Sequence, residues 1–248
     1  MKSFNSDTRP RTVQSGFTII ELMIALLIGV FLMGGLLTLV QDNKRTFVSQ
    51  SQLAQLQDSE RMALAIMTDV IQEAGYFPDP TTNSATSTMP VVGTTFAAGQ
   101  AMTGTHNTAA PGDTISVRYA TASGDGILNC AGQSNATPGI ASYTNTFSVV
   151  VTAGVGQLVC TLNGLQYPLI NGVTNLQVMY GINTSGTGNN VDTYMTATQV
   201  TTNTAWNNVI SVRIALTFNN PLYTAAGLGQ PATIQLKKHI TVMNQIGL

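Results

Sequence analysis

The chain has 248 residues, a formal net charge of −1 and a charged fraction of 8%. This length permits one or two domains with a substantial core. After residue 79 the only cations are Arg118, Arg213, Lys237 and Lys238. Four scattered cations exclude a basic patch of the nucleic-acid type, so no direct nucleic acid binding is predicted. This portion is otherwise rich in Thr, Asn, Gly, Ala and Ser, a composition common in exported β-rich proteins.

The first sixteen residues are polar and precede a long apolar run. Their cations are Lys2, Arg9 and Arg11. Because excess positive charge stays cytoplasmic, they predict that the following helix points its C-terminal end outward, although the cations at 44 and 45 weaken this bias. A conventional secretory signal peptide is the alternative. It requires a small-residue cleavage site after the apolar run, and residues 38–41 offer no good one.

The apolar run extends to Val40 and is predicted to be a transmembrane helix. No charged residue occurs in 22–40, and a bilayer-spanning helix needs about 20 mainly apolar residues. Glu21 stands at the start of this run. An ionised carboxylate in lipid costs on the order of several kcal/mol unless a partner neutralises it, so Glu21 calls for a functional explanation.

The run opens with Gly16, Phe17, Thr18, two isoleucines, Glu21 and Leu22. This order resembles the prepilin signature of type IV pilins and of the pseudopilins of type II secretion systems. The resemblance implies cleavage after Gly16 by a prepilin peptidase, N-methylation of the new terminal Phe17, and an assembly role for Glu21. It also implies a leader peptide (1–16), the transmembrane half of a long helix (17–40), its amphipathic half (41–75) and a periplasmic or extracellular head (76–248).

Glu21 has two interpretations. Cleavage before Phe17 creates an ammonium group four residues away, and such a charge is the best partner for a carboxylate in lipid. The amine of an adjacent subunit is the partner we expect. Alternatively, Glu21 lies at headgroup depth at a helix N-terminus, where negative charge is favoured.

Residues 41–74 continue the helix with an amphipathic pattern. Apolar residues recur at helical spacing at Leu53, Leu56, Ala63, Met67, Val70 and Ala74. This stripe is predicted to be the face on which the head packs. Gly75 followed by Pro78 is the order expected at a helix end. Residues 68–77, with their acidic residues and Ala-Gly-Tyr ending, also resemble the end of the long helix in PilW-type minor pilins.

The remainder predicts a β-rich head. Residues 78–112 are rich in Pro, Thr, Ala, Gly and Ser and are predicted to be a long surface connection with one short strand near 90–92. The strand-like runs that follow are 114–120, 147–152, 157–162, 173–180, 209–218 and 233–242. They predict an antiparallel sheet laid against the amphipathic half of the helix. This α+β architecture agrees with the type IV pilin fold that the resemblance implies.

The head carries no recognisable catalytic or cofactor motif. The glycine-rich segments 181–190 and 223–231 lack the ending of a phosphate-binding loop and are predicted to be turns. Asp113, Asp125 and Asp192 are isolated in sequence, so no metal site is predicted. Titratable groups are few and no G-x-S-x-G motif occurs, so the protein is predicted not to be an enzyme and to need no cofactor.

Cys130 and Cys160 both follow the membrane helix. In an oxidising compartment they can form a disulfide, which would stabilise the fold by about 3–4 kcal/mol in the chain-entropy model. The alternative is two buried free thiols. The spacing is wrong for a Cys-x-x-Cys motif, and the only histidines are His106 and His239, so a Cys/His metal site is not predicted.

The resemblance implies a PilW-type minor pilin that primes assembly of a type IV pilus. Its expected partners are other minor pilins and the major pilin through the N-terminal helix, the prepilin peptidase and the inner-membrane assembly platform. It is expected as a single-pass inner-membrane protein with a cytoplasmic N-terminus and a periplasmic head, then in the pilus or at its tip, supporting motility, adhesion or DNA uptake. Two alternatives are a J-type pseudopilin of a type II secretion system and a tip-displayed adhesin.

Overall fold

A computed structural model describes residues 16–185, 190–223 and 229–243. The chain divides into two compact units, residues 1–51 and 52–248. Helix α1 (Ile19–Gln72) contributes to both. Of the predicted leader only Gly16 is described, and the middle of each glycine-rich segment predicted to be a turn (186–189 and 224–228) lies outside the described residues.

From Ile19 to Val40, α1 presents a mainly apolar surface on all sides. Every side chain from 16 to 47 is exposed. Within the described part of the chain, α1 is the one helix that is long and apolar enough to cross a membrane. The predicted transmembrane half-helix therefore has the required length and composition.

The second unit contains the end of α1 and a β-rich head. Its described strands are β1 (Met102–Thr105), β2 (Thr114–Ala122), β3 (Ile140–Thr152), β4 (Val155–Leu162), β5 (Leu165–Asn171), β6 (Val173–Ile182), β7 (Thr193–Met195), β8 (Val209–Asn219) and β9 (Thr233–Thr241). Short helices α2 (Ala85–Thr88) and α3 (Ala197–Thr202) and a 3₁₀ turn (Trp206–Asn208) lie in the connections.

The strands form two antiparallel sheets, with the orders β1-β2-β3-β4-β5 and β7-β6-β8-β9. The α+β fold class is confirmed, but the strand pattern had predicted one sheet. The division falls at Gly172, the single residue between β5 and β6, which has a φ of 87°. A hairpin loop needs at least about two residues, so β5 and β6 cannot pair and the chain enters a second sheet.

Both sheets and the helix share one apolar core. On α1 the buried residues are Ala63, Met67, Val70 and Ile71, and Leu56 is half-buried against them. Ala74, just past the helix end, is buried as well. Four of the predicted stripe positions are thus fully buried, so the stripe is the face that packs against the head. The sheets contribute alternate residues of their strands, such as Ile115, Val117 and Tyr119 of β2 and Val212, Ile214 and Leu216 of β8.

The residues that follow α1 are hydrogen-bonded through their backbone to β2. The helix ends at Gln72, two residues earlier than predicted, and Gly75 has a φ of 79° that suits a helix C-terminus. Its amide donates to the carbonyl of Arg118 at 2.9 Å, and the Ala120 amide donates to the carbonyl of Tyr76 at 2.8 Å. These backbone bonds fix the helix end on the five-stranded sheet.

Several elements differ from the sequence expectations. The predicted connection 78–112 contains α2 and β1, and its predicted strand near 90–92 is only a bridge between Val92 and Phe96. Strands β5 and β7 were not predicted either. Pro168 interrupts the pattern of β5, yet it is tolerated because β5 is an edge strand and has no partner on one side.

The connection before β2 joins the two sheets. The Asp113 amide donates to the carbonyl of Leu176 in β6 at 2.7 Å, and the Leu176 amide donates to the carbonyl of Pro111 at 3.1 Å. Gly112 makes this approach possible, because a Cβ there would lie 2.1 Å from the Leu176 carbonyl oxygen. The 2%-exposed Asp113 carboxylate adds a bond from the Val178 amide at 2.7 Å.

A disulfide joins Cys130, in the connection between β2 and β3, to Cys160 of β4. Both residues are buried, and their Cα atoms are 6.2 Å apart. The Cys130 amide donates to the Asn145 side chain at 2.9 Å, so the connection is also held to β3. The bond thus anchors a long loop on the core side of the five-stranded sheet.

Removing this disulfide should destabilise the head without changing its fold. The bridged residues are 30 apart in sequence, and a loop of this length predicts a loss of about 3–4 kcal/mol for a Cys130→Ala/Cys160→Ala variant. Urea unfolding followed by circular dichroism measures the shift in midpoint. The wild type under reductant is the matched control and should lose a similar amount. Two reactive thiols in unreduced, denatured wild type would contradict the bond.

Candidate functional site

The predicted processing site lies immediately ahead of α1. Gly16 and Phe17 are exposed and non-helical, and the helix begins at Ile19. The Thr18 carbonyl accepts hydrogen bonds from the amides of Glu21 at 3.1 Å and Leu22 at 3.2 Å. The first intrahelical bonds therefore start after the 16–17 peptide bond. Cleavage at that bond would remove the preceding chain without breaking the helix, and its exposed position suits a protease.

Glu21 lies in the first turn of α1 and is exposed. Its amide approaches the Thr18 hydroxyl at 3.4 Å, so Thr18 occupies the capping position. A carboxylate in the first turn faces the positive end of the helix dipole, a contribution of about 0.3–1 kcal/mol. The helix-terminal position that the second interpretation requires is present, whereas the depth of Glu21 in a membrane and its pairing with another chain both stay predictions.

The helix that follows has no apolar partner within its own unit. Phe17 is 85% exposed and Phe31 is 81% exposed, and the leucines and isoleucines between them are exposed as well. Fully burying one such side chain is worth about 1.5–3 kcal/mol. A surface of this kind requires lipid or other apolar helices around it.

Two of the isolated aspartates of the head, Asp125 and Asp192, accept hydrogen bonds from nearby residues of their own loops. The carboxylate of Asp125 accepts from the amides of Ala122 at 2.8 Å and Ile127 at 3.1 Å. Asp192 accepts from the Thr184 hydroxyl at 2.9 Å and the Thr184 amide at 2.8 Å, and these bonds hold the pKa of Asp192 below its usual value. Both side chains thus have structural roles.

The two histidines each have a local partner. His106 contacts the Asp113 carboxylate at 2.9 Å, and the same carboxylate oxygen accepts from the Asn107 amide at 2.8 Å. His239 is hydrogen-bonded to the Tyr194 hydroxyl on the four-stranded sheet. Among the described residues no three His, Cys, Asp or Glu side chains gather in a way that could hold a metal ion.

A half-buried carboxylate that was not predicted as a site residue lies where the helix meets the head. Glu73 is near Asp69 and Asp125, and a groove there is also lined by Tyr76 and Ile127. Burial raises the pKa of Glu73 to about 7, with smaller contributions from the Asp69 and Asp125 carboxylates. The signal in the sequence was the pair of acidic residues at 69 and 73, one helical turn apart.

Two family models match the chain. The prokaryotic N-terminal methylation motif matches residues 11–37, and type IV pilus-assembly protein W matches residues 150–245. The first covers the predicted processing site and most of the apolar part of α1. The second runs from the end of β3 through β9. Comparisons with curated proteins and with solved structures found no match.

The fold and the N-terminal site are similar to those of the type IV pilin class. An apolar N-terminal helix with a methylation motif precedes antiparallel sheets, in agreement with the type IV pilin fold. Within this class the chain matches a PilW-type pilin. These matches point to a structural protein of a pilus system, anchored in a membrane through α1.

The raised pKa of Glu73 predicts that the head becomes less stable as the pH rises. The pKa is 4.5 in the unfolded chain and about 7 when folded. Between pH 4.5 and about 7 the folded state therefore holds a proton that the unfolded state has lost. The free energy of unfolding falls as the pH rises through this range, and Glu73 causes no further change above it. After allowance for half-exposure, Glu73→Gln should stabilise the protein by about 1–2 kcal/mol at pH 8. Urea unfolding at pH 5 and pH 8 measures this.

The matched control is Asp69→Asn on the same helix. It removes one carboxylate that raises the pKa of Glu73, so the pH dependence should shrink but persist. A Glu73→Gln variant with the same pH dependence as the wild type would show that another group is responsible.

Proposed function

We propose that this protein is a minor pilin of a type IV pilus that primes filament assembly with other minor pilins at the inner membrane and stays at or near the tip. One combination supports the proposal: a processing motif directly ahead of an exposed apolar helix, on a chain whose head matches the PilW model. In this role the leader stays cytoplasmic, the peptidase cuts after Gly16, and the head lies in the periplasm.

The driving force for assembly is contact between apolar helix halves. Lipid is as apolar as leucine, so moving α1 from lipid into a bundle depends on close packing and on polar pairing rather than on hydrophobicity alone. Glu21 supplies the pairing, because the terminal amine of a neighbouring subunit neutralises it in an apolar environment. Such a pair also sets the axial position of one helix against the next.

Deletion of the gene tests the priming role. We expect few or no surface pili by electron microscopy and loss of twitching motility, because the subunits that begin the filament are incomplete. Secretion by any type II system in the same cell should be unchanged. Normal piliation with impaired secretion would instead identify a J-type pseudopilin.

Complementation with Glu21 variants tests the pairing. Glu21→Ala should still enter the membrane fraction, because the apolar run is intact. It should restore piliation at least about tenfold less well than wild type, because the terminal amine of the neighbouring subunit is left unpaired in an apolar site. Mass analysis of the mature N-terminus must first show that the variant begins at a methylated Phe17.

Two further variants separate the interpretations of Glu21. Glu21→Asp keeps the negative charge at the helix terminus with a shorter reach, so it should act like the wild type if only the helix dipole matters and should be impaired if pairing matters. Asp42→Asn, a carboxylate of the same helix beyond the apolar run, is the neutral control and should restore pili fully. Full recruitment of Glu21→Ala into filaments would refute the pairing.

A further inference from the structure

A groove of about 440 Å³ lies on the outer face of the five-stranded sheet. Its floor is formed by β2, β3 and β4. One wall is the segment 90–96, and the other is the turn after β4, where Asn163 and Gly164 lie. All of these elements belong to the second unit, and the N-terminal assembly site contributes nothing to the groove.

The floor is a regular array of hydroxyl groups. Ser116 of β2 lies opposite Thr146 of β3, which lies opposite Thr161 of β4. Thr144 and Ser142 continue the array along β3 on the same face. Adjacent strands are about 4.8 Å apart and alternate residues of one strand about 6.7 Å apart, so the hydroxyls form a grid with these two spacings.

Some hydroxyl groups of this grid make no hydrogen bond to the described residues. Ser116 and Thr146 share one bond, with their hydroxyl oxygens 2.8 Å apart. The hydroxyls of Ser142, Thr144 and Thr161 make no hydrogen bond to any described residue. Each can donate one bond and accept two, so the floor offers several donors and acceptors to a ligand.

The wall at 90–96 is held in place by a buried arginine. Arg118 is 0% exposed and stands beside the floor, opposite Thr144. Its guanidinium donates to the carbonyls of Pro90 at 2.6 Å, Met89 at 2.8 Å and Ala97 at 3.1 Å. It also lies 4.8 Å from the centre of the Phe96 ring. Because these bonds fix the backbone of the wall, the groove is preformed.

The residues that line the groove carry no formal charge, and Pro90 and Val92 expose apolar surface on its wall. The Arg118 guanidinium is engaged by carbonyl oxygens, so a phosphate or carboxylate finds no free cation there. Strands β2, β3 and β4 are each paired on both sides, so an extended peptide cannot add to them through its backbone. The lining instead suits a neutral ligand with closely spaced hydroxyls and apolar C–H faces.

We propose that this groove binds a neutral carbohydrate. Sugar hydroxyls would exchange hydrogen bonds with Ser142, Thr144 and Thr161, while a C–H face of the ring packs against Pro90 and Val92. The head then contributes a recognition site that is separate from filament assembly. Because binding is measured on purified protein, it is tested independently of the role in priming.

The test uses the full chain purified in a detergent without a sugar headgroup, since a maltoside would compete for the groove. The protein is applied to an array of immobilised neutral, sialylated and sulfated glycans. We expect retention on one or more neutral glycans, and titration calorimetry with the retained glycan then gives the dissociation constant. Retention on no glycan, or on charged glycans alone, overturns the proposal.

Variants connect binding to the groove. Thr144→Val and Thr161→Val keep the β-branched shape, so the sheet should fold as before, and each should weaken binding by roughly three- to tenfold through the loss of a hydrogen bond. Thr217→Val on the outer face of the other sheet is the matched control and should change binding less than about twofold. Equal effects at 217 and 144, or binding unchanged in a Ser142→Ala/Thr144→Val/Thr161→Val variant, would overturn the site.

Discussion

The exposed apolar surface of α1 is the constraint on which the rest of the molecule depends. From Ile19 to Val40 no side chain is buried, and water is an unfavourable environment for such a surface. Lipid and a bundle of similar helices are both apolar, so they satisfy this surface about equally well. A single polar group can therefore decide between them. In the proposed role Glu21 is that group, because its ionised form is tolerated in an apolar site only beside a cation.

The surroundings of α1 differ along its length, and its sequence differs accordingly. Up to Phe47 all sides are exposed, whereas from Ala63 onward one side is fully buried against the head and the other carries polar residues. The end of the helix is then fixed by backbone bonds from Gly75 and Tyr76 to β2.

Sequence reasoning succeeded where the signal was local and failed where it depended on register. The processing motif is a run of consecutive residues, and the packing stripe of α1 follows from helical spacing, so both could be predicted. Strand β1 reads Met-Thr-Gly-Thr and has no alternating pattern, since its pairing with β2 through the backbone defines it. The burial of Arg118 could not be inferred, because the carbonyls that bind it lie at least 21 residues away. The hydroxyl grid of the groove likewise exists only once β2, β3 and β4 are aligned.

Around its apolar core, the head uses hydrogen bonds and one disulfide far more than ion pairs. In the described ranges the one side-chain ion pair within 4.0 Å is His106 with Asp113. Asn135 instead donates to the carbonyls of Thr121 and Gly139, and the Arg118 guanidinium donates to backbone carbonyls. Interactions of this type are little affected by salt, in contrast to surface ion pairs. Burial raises the pKa of Glu73 to about 7, so this carboxylate adds a dependence on pH at the point where the helix joins the head.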